Sequence, residues 1–194
     1  MPTPNLITSP FPIDYVAIRV ALVRAVQQVT GRLCILAEAE TQGEPRPPKP
    51  YMTVKFTSPG TKSGFDSSAI VMEGGLPTTK RVVGGQRKVT ADFNCFGTSH
   101  EEAYNYMALW QSALETETIQ EMLRRSGIAL WRNGSVADLS ALLNTGYEGR
   151  AQMQVDFGAA ANIVEDLGEM DSVPIAAEVD TNAGLVEIDV TLTV

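Results

Sequence analysis

The chain holds one histidine, His100, and two cysteines, Cys34 and Cys95. A Ser-His-Asp or Cys-His arrangement would have to pass through His100, because the imidazole is the base that activates such a nucleophile. His100 stands in Ser99-His100-Glu101-Glu102, a helix opening that places it on the surface, and no Gly-x-Ser-x-Gly elbow occurs. With one histidine and two widely separated cysteines there is no zinc set, and no EF-hand loop is present. Gly84-Gly85-Gln86-Arg87-Lys88 has the glycines and cations of a phosphate cradle. It lacks Gly-Lys-Ser/Thr and enters a strand instead of a helix, so Arg87 and Lys88 read better as interface residues than as nucleotide ligands. Glu101-Glu102 and Glu165-Asp166 read as capping and loop charge. These residues predict no enzyme, no metal site and no cofactor.

The 194 residues, 44% hydrophobic and 20% charged, suffice for one domain or two small ones. A net charge of −8 argues against a protein that wraps nucleic acid, because neutralising phosphates requires a basic surface. The acids are unevenly placed. Residues 151–194 carry nine of them and no Lys or Arg. The plain reading is a solvated face that aids solubility. No stretch approaches the roughly 20 apolar residues of a membrane helix. The start Met1-Pro2-Thr3-Pro4-Asn5 lacks a basic, then apolar, leader, so the expectation is a soluble protein made in the cytoplasm. Asn133-Gly134-Ser135 reads as a turn instead of a glycosylation site.

The elements follow from period and punctuation. Residues 1–13 are proline-rich and aperiodic, an extended arm. Asp14 caps a helix to about Thr30, with Gly31 as its stop. Tyr15, Ile18, Leu22, Val26 and Val29 lie on one face of it, and Val16, Val20 and Val23 widen that face, predicting burial on more than one side. Arg32–Ala37 reads as a short buried strand. The proline tract up to Pro50 reads as a stiff lead-in to the strand Tyr51–Ser58, with an SH3-type ligand as the other reading. Residues 59–85, rich in Gly and Ser, read as a long loop with a possible strand at 68–72.

Gln86–Phe96 alternates, with Val89, Ala91, Phe93 and Cys95 on one side. Ser99 and Glu102 form a capping box for a helix with Ala103, Met107, Trp110 and Leu114 on one stripe. Thr118 opens a second helix that ends at Gly127. Ile128–Arg132 is a strand and Leu139–Leu143 a short apolar segment, read as one helical turn. Glu148–Phe157 alternates again, and Val186, Ile188, Val190, Leu192 and Val194 form the apolar face of a terminal strand. The fold class is α+β: a single domain with a mostly antiparallel or mixed sheet, helices on one face, extended arms and a long loop.

Several segments carry a resemblance when taken in order. Arg46-Pro47-Pro48-Lys49-Pro50-Tyr51-Met52-Thr53-Val54 precedes Gly85-Gln86-Arg87-Lys88-Val89-Thr90-Ala91 and the helix Ala103 to Leu114. Thr118-Ile119-Gln120-Glu121-Met122-Leu123, Val136 to Leu143 and Tyr147-Glu148-Gly149-Arg150-Ala151 follow. This resembles the neck or tail terminator proteins of tailed bacteriophages over about residues 14–178.

The resemblance implies a virion structural subunit, assembled in the host cytoplasm. It would form a homo-oligomeric ring, generally a hexamer, that caps the tail tube. Its partners would be the tail tube protein and the neck or connector protein, with DNA passing through the ring without specific binding and no membrane involved. The domain reading is an arm at 1–13, a terminator-like domain at 14–180 with the loop 59–85, and a C-terminal strand extension at 181–194. The arm and loop are expected to order on assembly. Glu148 and Arg150 share a strand face, as a local pair or as half of an intersubunit contact. Val186, Ile188 and Val190 are expected to add to a neighbour's sheet edge. Glu187 and Asp189, with the rest of the acidic segment, are expected on a channel wall or an axial contact face. Only acids within about 8 Å of passing DNA would act on it at physiological salt. The rival readings are another head–tail completion or tail-tube protein, or a ligand-binding or enzymatic α+β domain that uses the 59–85 loop as a lid.

Overall fold

Asp14 opens the first helix through its carboxylate, which accepts a hydrogen bond from the Ala17 N–H at 2.9 Å. Gly31 closes that helix, α1 (Tyr15–Thr30), at a φ of 64°, its N–H bonded to the Gln27 carbonyl. The computed structural model describes residues 13–38, 46–73, 76–143, 146–167, 172–181 and 184–193. The expected arm lies outside these residues except for Ile13, which is buried. Ile18, Leu22 and Val26 of α1 are buried as their spacing predicts, and Ala21 and Ala25 are buried beside them. Val16 and Val20 differ from expectation, at 72% and 42% exposed, so α1 packs along one side only.

β1 (Leu33–Leu36) runs parallel to β2 (Tyr51–Glu73), with Leu33 beside Tyr51 and Leu36 beside Val54. After β3 (Leu76–Gly97) come α2 (His100–Ala113) and α3 (Glu117–Arg125). The short strands β4 (Ile128–Arg132), β5 (Ala137–Asp138) and β6 (Ala141–Leu143) precede the long β7 (Gly146–Asp166). The sheet order is β1-β2-β3-β7-β4, and β5 and β6 also pair antiparallel with β7. This is the α+β architecture with a mixed sheet that the element order predicts. β8 (Ser172–Thr181) and β9 (Gly184–Thr193) form a separate antiparallel ribbon. The chain divides into two compact units. The larger includes described residues 13–67 and 83–163, and the smaller includes 68–82 and the described residues from Val164 onward.

The core confirms the two clean alternations. Val89, Ala91, Phe93 and Cys95 of β3 and Ala151, Met153, Val155 and Phe157 of β7 are all buried. They join Met52 and Val54 of β2 and the inner stripes of all three helices in one apolar cluster. Phe93 packs on Trp110 of α2 with ring centroids 5.3 Å apart. Burying each such side chain stabilises the fold by about 1.5–3 kcal/mol. Ser99 caps α2 by accepting from the Glu102 N–H, and Glu102 in turn accepts from the Thr98 N–H at 2.8 Å. The box therefore reaches back one residue further than its usual form.

Four expectations change. Residues 59–73 and 76–85, expected as a long loop with a possible strand at 68–72, lie in β2 and β3, so that strand is present and far longer, and Gly74-Gly75 lies outside the described residues. Residues 61–70 are exposed or half-exposed throughout. Hydrophobic alternation reports which face is buried, and a strand wet on both faces gives no such signal. Leu139–Leu143, expected as a helical turn, instead supplies β6, paired with residues 146–148 of β7. α3 starts at Glu117 with Thr116 at its cap, so Thr118 is inside the helix. Residues 172–181, given no element by the sequence reading, form β8.

Candidate functional site

Four of the sequence-predicted polar residues, Glu148, Arg150, Arg87 and Lys88, are tied within the chain. Glu148 does not pair with Arg150. It accepts from Lys49 Nζ at 2.8 Å and lies 3.8 Å from Arg46, which fastens the proline tract to β7. The Lys49 hydrogen bond is the main reason its carboxyl is held below the usual carboxylate range. Arg150 instead donates to Asn94 Oδ1 at 2.9 Å, with its guanidinium 5.3 Å from the centre of the Phe96 ring.

Arg87 and Lys88 point to opposite faces of β3, as neighbours on a strand must. Arg87 grips Asp66 of β2 with two hydrogen bonds, at 2.7 and 3.1 Å, and Lys62 adds a third contact at 3.0 Å. These bonds hold the Asp66 carboxyl down to about 2. The pair borders a 260 Å³ cavity with Ile13, Tyr15, Val83 and Ala161. Gly85 permits the grip, because a Cβ there would lie 2.1 Å from Asp66 Oδ1.

Lys88 lies 3.8 Å from the buried Asp156 of β7, which also accepts from Thr90 Oγ1 at 2.7 Å and pairs with Arg132 of β4 at 2.9 Å. Glu165 likewise pairs with Arg81. Asp156 and Glu165 are therefore each paired with cations of the same chain. Val186, Ile188, Val190, Glu187 and Asp189 lie along β9, where Glu187 stands opposite Glu178 of β8 in the register.

His100 Nδ1 lies 3.0 Å from Asp138 Oδ2 at the start of α2. Burial pushes the Cys34 and Cys95 thiols up to about 12, which keeps both protonated and unreactive at neutral pH. No cluster of metal-ligating side chains occurs among the described residues. No helix among them is long and apolar enough to cross a membrane.

The sequence reading missed the apolar residues at the two margins of the sheet. At one margin β1 pairs only with β2 among the described residues, and Val16, Val20 and Leu33 are exposed around it. At the other, Trp131 of β4 is 40% exposed and lies over the Gly158 backbone, so close that a Cβ there would sit 2.0 Å from the indole nitrogen. Leu139, between β5 and β6, is exposed on the same margin. The signal available in advance was the surplus valine stripe of α1, which is too wide for one packed side. These margins have the composition of contact surfaces, with aromatic and aliphatic groups beside cations.

A family model described as "Phage neck terminator protein" matches residues 20–183. No curated protein matches the chain.

Proposed function

The chain belongs to the phage neck terminator protein family, and we propose that it assembles into a closed homo-oligomeric ring, six copies in the family's usual form. The ring caps the tail tube and offers its other face to the head-side connector. The observation that carries this reading is the pair of unlike sheet margins. A chain with apolar groups exposed at β1 and a different set at β4 to β6 is suited to heterologous contacts, which close into rings when the rotation allows. Function then lies in shape and interface, with no catalytic step. The net charge of −8 suits a channel that DNA traverses without being held, since a negative wall repels phosphate. The subunit is made in the host cytoplasm and ends in the virion, between tail tube and connector. Gold-labelled antibody against this chain on intact virions tests the placement. Label at the head–tail junction alone is expected, and label along the length of the tail would overturn the cap.

A further inference from the structure

Resting on the ring reading, we propose that the α1–β1 margin of one copy receives the β8–β9 ribbon of a second copy. The acceptor is a groove of about 450 Å³ between Val20, Val23, Arg24 and Gln27 of α1 and Ile35 and Leu36 of β1. Val16, one turn before Val20 on α1, and Leu33, next to Cys34 in β1, are also exposed. The open edge of β1 presents backbone N–H and C=O groups without a strand partner among the described residues, a template for an added strand.

The ribbon is the complementary part. Its register places Ile175, Ala177 and Val179 with Val190, Ile188 and Val186 on one face, and Glu178 and Asp180 with Glu187 and Asp189 on the other. A two-stranded ribbon with an apolar face is at best marginally stable alone in water and gains by covering that face. A strand added beside β1 carries such a face beneath the valines of α1.

Charge selects this occupant. Residues 15–36 carry Arg19, Arg24 and Arg32 and no acid, whereas residues 172–193 carry four acids and no base. Arg19 is engaged by Glu38 and Arg32 by Tyr106, while Arg24 has no hydrogen-bond or ion-pair partner among the described residues. Opposite fields also steer the two surfaces together. Because the two patches differ, the contact runs from copy to copy, as ring closure requires.

Disulfide trapping tests the contact, with Val20→Cys and Ile188→Cys in one chain. Cys34 lines the groove beside Val20, so both native cysteines are first replaced, as Cys34→Ala and Cys95→Ala. Mild oxidation is expected to give a ladder of chains that ends at the ring size on a denaturing gel. A disulfide confined within single chains would overturn the proposal. So would the absence of any disulfide while rings persist by electron microscopy, which leaves the ring reading standing. Absence of both rings and disulfides would sink both. Salt supplies a second arm. Raising the ionic strength should raise the half-assembly concentration, because it screens the opposite fields of the two surfaces. No change with salt in a chain that melts normally counts against the proposal.

Discussion

The inner and outer parts of β3 belong to one strand yet are held by different physics. From Val89 to Cys95, alternate residues are wholly buried against the helices, and Phe93 meets Trp110. From Arg81 to Lys88 the side chains are half-exposed or exposed, and ion pairs to Asp66, Asp156 and Glu165 replace apolar burial. Burial of that extent is non-directional and large. Ion pairs at a wet surface are worth little each, but they fix geometry. The inner part therefore sets the stability of the fold, while the outer part keeps a defined shape that opens at small free-energy cost.

The inner part should break hardest. Trp110→Ala removes the partner of Phe93 and leaves a cavity, with an expected loss of about 3–5 kcal/mol in chemical denaturation. A loss under about 1 kcal/mol would mean that the α2 stripe does not close the core. Asp156→Ala sits at the junction of the two regimes. Thr90 loses its acceptor, but Arg132 is two-thirds exposed and Lys88 is also exposed, so water takes over both cations. The expected cost is about 1–2 kcal/mol, less than for a fully buried pair.

Asp66, which holds the outer part of β3, makes that part respond to pH. Its carboxyl is lowered from 3.8 to about 2, mainly by the Arg87 hydrogen bond. A depressed folded value stabilises the native state above the unfolded value, and that contribution disappears as pH falls through the folded one. Urea midpoints of the natural protein and Asp66→Asn should therefore coincide near about pH 2 and separate by about pH 4 and above, the natural protein being the more stable. Parallel curves over that range would show that the Arg87–Asp66 pair does not stabilise the fold. The smallest effect belongs to Arg125→Ala on α3, whose pair with Glu121 is largely exposed. The melting curve should change by no more than about 0.5 kcal/mol.

The same contrast explains what the sequence made legible. α1 and α2 were readable because Asp14, Gly31, Ser99 and Glu102 are local punctuation. The inner strands were readable because one face of each is dry. The outer parts of β2 and β3 were not, since glycine, serine and threonine wet on both sides carry no period. Thr116 rather than Thr118 caps α3, a choice that the Thr-Glu-Thr spacing leaves open. Arg87 and Lys88 were found as a pair, but their partners are 21 and 68 positions away, and no local signal joins them. Nor does the sequence separate a valine that packs inside its own chain, like Val26, from one left exposed, like Val16. Both occur on the apolar side of one helix.

Electron microscopy of the purified protein decides whether this chain closes into rings. Discrete closed rings of a single size are predicted, with no growth as the concentration rises. Long tubes, or only single chains at every concentration, would contradict it.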